Sequence, residues 1–281
     1  MSADNNYLDN QSGSTVKQAN PLKAYLPVIV VVLAGIVSVL LYKFVFGAPA
    51  NFVGNDPKNL PLDGNILGTI YKGGVIIPIG FTAMLMWITF GIERMLSLIA
   101  ASGKGSIDVF VQKVRSSIHK GNIEEAMEEC DRHQSSVSNV IKSGLKKYRE
   151  LEKDKGMNLD QKKAALEAEI EEATSLEIPS LQRNLPILAT IVSVGVLVGL
   201  LGTVIGMIRA FSAMSNAGAP DAGELATGIS EALMNTAIGI FNSLGALILY
   251  NLFSSIIDSM TYTMDEAKYS IVQAFQAGHK S

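Results

Sequence analysis

The sequence predicts an all-α polytopic membrane protein with four transmembrane helices. The chain has 281 residues, of which 48% are hydrophobic, and these residues are concentrated in four long runs. A soluble domain would instead spread its apolar residues with the period of its helices or strands. Each run is close to or longer than the roughly 20 residues that a helix needs to cross a bilayer. A charged segment with helically spaced apolar residues separates the second and third runs.

The first half of the chain contains a tail, two spans and a loop. Residues 1–23 are a polar tail rich in Asn, Ser and Asp, and the first apolar run follows at 24–46. A secretory signal peptide is the competing interpretation, because it also combines a positive start with an apolar run. The run is long for that class, so we favour a transmembrane helix. Residues 47–72 are a loop rich in Pro, Asn and Gly, and the second transmembrane helix covers 73–98.

The second half begins with a charged helical domain at 99–183. The third and fourth transmembrane helices follow at 184–214 and 225–257, and the short turn at 215–224 makes them antiparallel neighbours. Both exceed the length that a span requires, which indicates tilt or helices that continue beyond the bilayer. Residues 258–281 form a polar, amphipathic tail.

Charges beside the spans predict the orientation of the chain. Arg94 lies near the end of the second helix, Lys104 follows it and Arg183 precedes the third, whereas the turn at 215–224 has no Lys or Arg. Because positively charged flanks stay on the cytoplasmic side, the charged domain is expected in the cytoplasm. Four spans then place both termini in the cytoplasm, and the first loop and the turn in the periplasm.

The last two transmembrane helices carry small residues at membrane depth. A glycine face gains nothing from lipid, but it allows a neighbouring helix to approach closely. Close packing is the more common reason for such a pattern, and a polar lumen between helices also requires it. The residues predicted to serve helix packing are Gly195, Gly199, Gly202, Gly206 and Gly239.

The fourth helix also carries a polar stripe. Thr227, Glu231 and Asn235 are four residues apart and share one face, which Asn242 continues. An ionised carboxylate in the bilayer costs on the order of 3 kcal/mol or more, so Glu231 needs water, a proton or a partner. Arg209, near the outer end of the third helix, is the candidate for an ion pair with Glu231. The alternative is that both side chains snorkel to the interface.

The deep parts of the second to fourth helices offer hydroxyls and amides, but no deep Asp, Glu or His. A proton relay requires a group that gains and loses charge near the middle of the membrane. If the protein is driven by protons, a partner therefore supplies the carboxylate.

Several function classes are disfavoured. A formal net charge of −3 gives no indication of a nucleic-acid partner. The single cysteine, Cys130, cannot build a disulfide framework, and His119, His133 and His279 lack metal-ligand spacing. No phosphate-binding loop or nucleophile motif is present. We therefore expect no enzyme activity, no cofactor and no metal site.

Three motifs carry a family resemblance. They are Leu-Ala-Thr-Ile at 188–191, Gly-Leu-Leu-Gly-Thr-Val-Ile-Gly-Met at 199–207 and Gly-Ile-Ser-Glu-Ala-Leu-Met-Asn-Thr-Ala-Ile-Gly at 228–239. In this order, with a short outer loop between the last two, they resemble the MotA/TolQ/ExbB proton channel family, and ExbB most closely. The resemblance covers roughly 73–257. The family often has proline where this chain has Val196, its simplest members lack the first span, and Arg209 is not part of its motif.

The resemblance implies a homopentamer in the bacterial inner membrane, with long helices that extend into the cytoplasm. A dimer of an ExbD-like subunit would occupy the central pore, and its membrane aspartate would carry protons. The motor would energise a TonB-like protein that works on outer-membrane transporters. Thr203 and Thr236 match the pore hydroxyls beside that aspartate, and Glu231 matches the acid of the last helix. We group Asn235 with them as pore-lining.

Two alternatives remain at this point. A TolQ-like or gliding-motor subunit would have nearly the same sequence features, and the identity of the partner would separate it from an ExbB-like subunit. A structural membrane scaffold without ion conduction would use the polar stripe for helix packing alone.

Overall fold

A computed structural model describes residues 21–216 and 222–278, and in these ranges the regular structure is helical apart from one isolated bridge between Phe52 and Pro61. Almost all of the predicted tail at 1–23, the middle of the predicted turn and His279 lie outside the described residues. The α-helices of the described ranges are α1 (Pro21–Leu40), α2 (Ile66–Lys72), α3 (Ile76–Ser102), α4 (Ile107–His119), α5 (Ile123–His133), α6 (Ser136–Lys153), α7 (Leu159–Leu181), α8 (Leu185–Asn216) and α9 (Ala222–Gly278).

Four helical segments are long and apolar enough to cross a membrane. They are Tyr25–Phe46, Ile76–His119, Leu185–Ser212 and Leu225–Gly278. The prediction of an all-α chain with four candidate spans is therefore confirmed. The first segment joins α1 to a wider helical turn at Leu41–Phe46.

The longest element is α9, which runs without interruption for 57 residues. At 1.5 Å per residue it is about 85 Å long, nearly three times the thickness of a bilayer's hydrocarbon core. The segment predicted as a polar tail at 258–281 thus continues the fourth span as one helix to Gly278. Helices α8 and α9 pack against each other as an antiparallel hairpin. We call the end of this hairpin near residues 217–221 the turn end.

Helices α4 to α7 and the distal half of α9 share one hydrophobic core. Their apolar residues recur at helical spacing, so each helix turns one stripe inward. Local capping defines where these helices begin: the Asn122 side chain accepts a hydrogen bond from the Glu125 amide, and Ser135 forms a reciprocal capping box with Ser138. The core residues from α9 are Phe253, Ile257, Met260, Met264, Ala267, Ile271, Val272 and Phe275.

A buried arginine joins α3 to the connection between α7 and α8. Arg94 is 2% exposed, and its Nη2 lies 2.6 Å from Glu93 Oε1. Its Nη1 donates to the carbonyl oxygens of Ser180 and Leu181, at 3.4 and 3.3 Å. These carbonyls belong to the last turn of α7, where a cation is favoured by the helix dipole. Arg94 thereby holds the end of α7 where the chain turns into the third span.

Helix α1 packs along α3, and a small folded loop joins the two at the turn end. The Ser38 hydroxyl donates to the Pro78 carbonyl at 2.5 Å. Further along, the rings of Tyr42 and Tyr71 stack at 4.7 Å, and the Tyr42 hydroxyl donates to the Tyr71 carbonyl. Within the loop, the Asn51 side chain donates to two carbonyls at the end of the first span. The first span therefore braces the segment that leads into α3.

Candidate functional site in the α8–α9 hairpin

The glycines of α8 form the contact with α9. A Cβ atom placed on Gly199 would lie 3.1 Å from the Gly239 Cα, and one placed on Gly239 would lie 2.6 Å from the Gly195 carbonyl oxygen. A Cβ on Gly206 would lie within 3.0 Å of Ala232. Since these neighbours are largely backbone atoms, they cannot move aside. The hairpin needs glycine here because the two helix axes are too close for side chains.

One flank of the hairpin faces α3 and carries buried polar groups. Asn242 is 1% exposed, and its Nδ2 donates to the Gly80 carbonyl at 2.9 Å. Its Oδ1 accepts a hydrogen bond from the Trp87 indole at 3.2 Å. Glu231 and Asn235 lie on the same flank, and both are buried. We call Glu231, Asn235 and Asn242 the α3-facing stripe.

At the turn end of this stripe, Glu231 is paired with Arg209. The Arg209 Nη1 lies 2.5 Å from Glu231 Oε1. The Glu231 side chain is 8% exposed, whereas that of Arg209 is 52% exposed. The arginine side chain therefore extends from the surface to a buried carboxylate. Gly74, which has a φ of +71°, lies against the pair: a Cβ there would be 2.5 Å from Glu231 Oε1. The Gly73-Gly74 connection therefore covers the ion pair with backbone alone.

Asn235, one turn deeper, has an unsatisfied amide. Neither its Oδ1 nor its Nδ2 has a hydrogen-bond partner among the described residues. The amide lies between two glycines: a Cβ on Gly202 would be 2.9 Å from Nδ2, and a Cβ on Gly73 would be 3.1 Å from Oδ1. A buried amide without partners is costly, so this side chain needs an explanation beyond packing.

The two threonines lie on the other flank of the hairpin. Both are half-buried. The Thr203 hydroxyl donates to the Leu200 carbonyl at 2.6 Å, and the Thr236 hydroxyl donates across to the Gly199 carbonyl at 3.4 Å. Thr236 follows Asn235, so its side chain points about 100° away from the α3-facing stripe. Exposed apolar residues surround the pair on this flank, which we call the open flank; among them are Val196, Leu200, Ile229 and Ile240.

The four residues predicted to line a pore therefore divide into two pairs within one chain. Glu231 and Asn235 face α3, and Thr203 and Thr236 lie on the open flank. The Arg209–Glu231 distance is that of an ion pair.

Two cavities adjoin the α3-facing stripe. A cleft of about 320 Å³ between α3, α8 and α9 is largely apolar, and its polar lining residues are Thr82, Thr190, Asn235 and Asn242. A vestibule of about 570 Å³ at the turn end is lined by charged and polar residues that include Lys58, Lys72, Arg209, Thr227 and Glu231.

Lys72 also lines this vestibule, and its place in the sequence does not indicate a functional role. Its Nζ donates to the carbonyls of Pro57 and Lys58, at 3.1 and 3.0 Å. Partial burial lowers the pKa of this ammonium group. Trp87, Gly73 and Gly74 were missed as well. The Gly-Gly pair at the start of the second apolar run is a signal that could have directed attention to the last two.

Outside the hairpin, Cys130 and His133 lie in the helical core. Burial raises the pKa of the Cys130 thiol to about 12. The His133 ring stacks on Phe110 at 4.2 Å, and its Nδ1 lies 2.9 Å from the Ser135 hydroxyl. Within residues 21–216 and 222–278, no three His, Cys, Asp or Glu side chains are grouped so that they could hold a metal ion.

Comparison with known proteins connects this geometry to one family. Residues 132–266 match the model of the MotA/TolQ/ExbB proton channel family. The chain is 30% identical over 177 residues to the Tol-Pal system protein TolQ of Pseudomonas aeruginosa, covering 57% of this chain and 77% of that protein.

Two further relatives carry the ExbB name. A putative biopolymer transport protein ExbB homolog of Methanothermobacter thermautotrophicus is 29% identical over 196 residues, which are 69% of this chain and 65% of the relative. The biopolymer transport protein ExbB of Xanthomonas campestris pv. campestris is 31% identical over 111 residues, or 40% of this chain and 44% of that protein. The region that the family model matches, residues 132–266, includes the glycine contact of the α8–α9 hairpin, its buried acid and its two threonines. The chain belongs to the MotA/TolQ/ExbB proton channel family.

Proposed function

We propose that this chain is an ExbB-like stator subunit of a motor in the bacterial inner membrane that couples proton flow to TonB-dependent outer-membrane transport. The observation that carries the proposal is the position of Thr203 and Thr236, which place two hydroxyls on the open flank of a glycine-packed hairpin. An open flank that is apolar around two hydroxyls suits a surface that other membrane helices cover.

In the proposed assembly, five copies surround a pore with their open flanks turned toward its axis. A dimer of an ExbD-like subunit lies inside, and Thr203 and Thr236 provide hydroxyls and ordered water beside its membrane aspartate. The partner supplies the titrating group because the deep parts of α3, α8 and α9 hold amides and hydroxyls instead. Helices α4 to α7 and the distal half of α9 form the cytoplasmic part, the turn end faces the periplasm, and both termini are cytoplasmic.

The domain boundaries follow from this assignment. The pore helices are 184–214 and 225–257, the first loop and the turn are periplasmic, and the extra helix at 24–46 packs on the outside of 73–98. This first helix lies against α3, away from the open flank, so it does not obstruct the pore.

Valine substitutions of the two threonines test the proposal. Thr203→Val and Thr236→Val keep the shape of the side chain and remove only the hydroxyl. In vesicles that contain the chain with its ExbD-like partner, we expect each variant to reduce proton uptake at least tenfold, since hydroxyl and water contacts to the aspartate are lost. Thr263→Val is the matched control, because the Thr263 hydroxyl bonds within α9 to Ser259 in the distal, polar half of the helix.

A native mass measurement completes the test. The proposal predicts five copies of this chain in the purified complex, with the threonine variants assembled like the parent protein. A monomer in mild detergent, or unchanged proton uptake in both threonine variants, would contradict the proposal and favour a membrane scaffold without ion conduction.

A TolQ-like role is the second candidate, and the similarity to a TolQ across 77% of that protein favours it. A gliding-type motor subunit is a further alternative in the same family. The two main candidates share the pore and differ in the partner, so affinity purification of the tagged chain from its native membrane distinguishes an ExbD-like partner from a TolR-like one.

A further inference from the structure

We propose that each protomer contains its own water-filled passage, separate from the central pore. It leads from the vestibule, past the Arg209–Glu231 pair, to Asn235 and the cleft between α3, α8 and α9. The species that it takes up is water, together with protons relayed on that water. The inference rests on the proposed function only for its orientation, with the vestibule on the periplasmic side.

The two cavities are separate but lie next to each other along α9. The vestibule is lined by Glu231 and the cleft is lined by Asn235. These residues are one helical turn apart, which corresponds to about 6 Å along the axis of α9. Two cavities of about 570 and 320 Å³ therefore approach the same stripe from its two ends.

The side-chain amide of Asn235 is buried and unsatisfied. Asn235 is 2% exposed, and its amide has no hydrogen-bond partner among the described residues. Leaving a buried polar group unpaired costs roughly 1–3 kcal/mol, and this amide has both a donor and an acceptor to satisfy. Water is the common partner for such groups where polar side chains are near, and the cleft, although largely apolar, has Thr82, Thr190 and Asn242 in its lining beside Asn235. At about 30 Å³ for each water, the cleft has room for several molecules.

The segment between the vestibule and the cleft, which we call the neck, is formed by Gly73, Gly74 and the polar groups that they contact. Gly73 and Gly74 lie directly against Asn235 and the Arg209–Glu231 pair, where a Cβ atom would come within 3.1 Å of Asn235 Oδ1 and 2.5 Å of Glu231 Oε1. Gly73 and Gly74 place only backbone against these polar groups, and a methyl group at either position would overlap them. With glycine at both, the groups that meet there are a carboxylate, a guanidinium and an amide, which all bind water well.

The passage and the proposed pore lie on different flanks of the hairpin. The Asn235 amide faces Gly202 of α8 on one side and Gly73 on the other, whereas Thr203 and Thr236 point to the open flank. The glycine-packed contact between α8 and α9 lies between the two flanks. Water on the α3-facing side therefore reaches the middle of α9 without entering the central pore.

Silver ions test the passage, because Ag⁺ is small, moves through water rather than lipid and reacts with thiols. Asn235→Cys places a thiol at the end of the neck, and Ile238→Cys places one in the cleft while it leaves the Asn235 amide intact. Ile36→Cys is the lipid-facing control, since Ile36 is 52% exposed on α1. All variants carry Cys130→Ala, although the raised pKa of Cys130, about 12, already makes that thiol slow to react.

The variants are made in the full chain with its ExbD-like partner, in vesicles whose periplasmic side is exposed to silver nitrate. Protection from later alkylation measures the reaction. We expect the thiols at 235 and 238 to react at least tenfold faster than the thiol at 36. The second position keeps the test valid if Asn235→Cys fails to assemble.

Thr203→Cys, measured in parallel, distinguishes this proposal from the proposed function. Reaction rates at 235 and 238 that match the rate at 36 would overturn the passage, even if the thiol at 203 reacts quickly and supports the pore. Fast reaction at 235 and 238 with a slow thiol at 203 would support the passage and contradict the pore assignment.

Discussion

Asn242 on α9 donates its amide hydrogen to the Gly80 carbonyl of α3 at 2.9 Å, in the interior of the transmembrane region. This bond occurs where α3 passes α9 without a side chain at position 80. Together with the Trp87 indole, which donates to the other end of the same amide, it fixes the position of α3 on the hairpin.

Asn242→Leu should loosen α3 from α9, because it removes one donor and one acceptor and leaves the Trp87 indole without its partner. We expect a loss of about 1–3 kcal/mol in the free energy of unfolding. Trp87 is the single tryptophan of the chain, so its fluorescence spectrum reports this contact directly. Asn251→Leu, at an exposed position of α9, is the matched control. An unchanged tryptophan spectrum and unchanged stability in Asn242→Leu would show that the bond contributes nothing.

Gly239→Ala should separate α8 from α9, because the added methyl would lie 2.6 Å from a backbone carbonyl oxygen. Overpacking of this kind costs about 1–3 kcal/mol. Gly35→Ala is the control, since no atom lies within 4 Å of its Cβ position, and it should leave stability unchanged or slightly raised. The measurement is unfolding of the purified protein in mixed micelles of increasing SDS content. Equal transition midpoints for the two variants would be inconsistent with a close helix contact at Gly239.

Arg94→Leu should be more harmful than removal of a surface arginine. It leaves Glu93 without its main partner and leaves the last carbonyls of α7 without a donor. Because Arg94 is buried but the Glu93 side chain is 33% exposed, we expect a cost of about 1.5–3 kcal/mol. Arg115→Leu removes an exposed ion pair with Glu266, at 3.8 Å, and should cost less than about 1 kcal/mol. The same SDS titration measures the stability of both variants. An effect of Arg94→Leu no larger than that of Arg115→Leu would refute the structural role of Arg94.

The stability of the helical core should fall at acidic pH because of His133. Burial lowers the pKa of this imidazole, so the folded state holds it neutral while the unfolded state protonates it near pH 6.5. Below pH 6.5 the unfolded state therefore binds more protons than the folded state. The stability that the neutral His133 imidazole contributes is complete above pH 6.5 and is lost as the pH falls. The free energy of unfolding decreases by at most about 1.4 kcal/mol per pH unit. His133→Phe should flatten the dependence of the melting temperature between pH 7 and 5. His119→Gln, at an exposed position, should leave it unchanged, and equal slopes in all three proteins would exclude His133 as the cause.

Much of the fold could be predicted because its determinants are local. The four apolar runs predict four helices, since a span must satisfy its backbone hydrogen bonds internally. The helically spaced apolar residues of the charged segment predict helices between the second and third spans, and α4 to α7 lie there. Gly195 and Gly199, like Gly202 and Gly206, are four residues apart, so each pair is predicted to share a face, and these glycines form the contact with α9.

Less of the candidate site could be predicted from the sequence. Helical spacing groups Glu231 with Asn235, but it does not say which neighbour covers their face. The sequence therefore predicts one lining made of Glu231, Asn235, Thr203 and Thr236, whereas in the structure α3 covers the first two and the threonines lie on the open flank. Trp87, Gly73 and Gly74 were overlooked because their partners are more than 130 residues away in the chain.

The amino-acid sequence alone determined the class of this protein, its spans, the charged domain and the family motifs, because hydrophobic length and helical period are properties of consecutive residues. The tertiary structure decided that α3 lies on one flank of the α8–α9 hairpin, that Arg209 meets Glu231, and that Asn235 is buried without a described partner. The physical reason is that a helix places a residue on a face, but only packing against another helix determines whether that face meets protein, water or lipid.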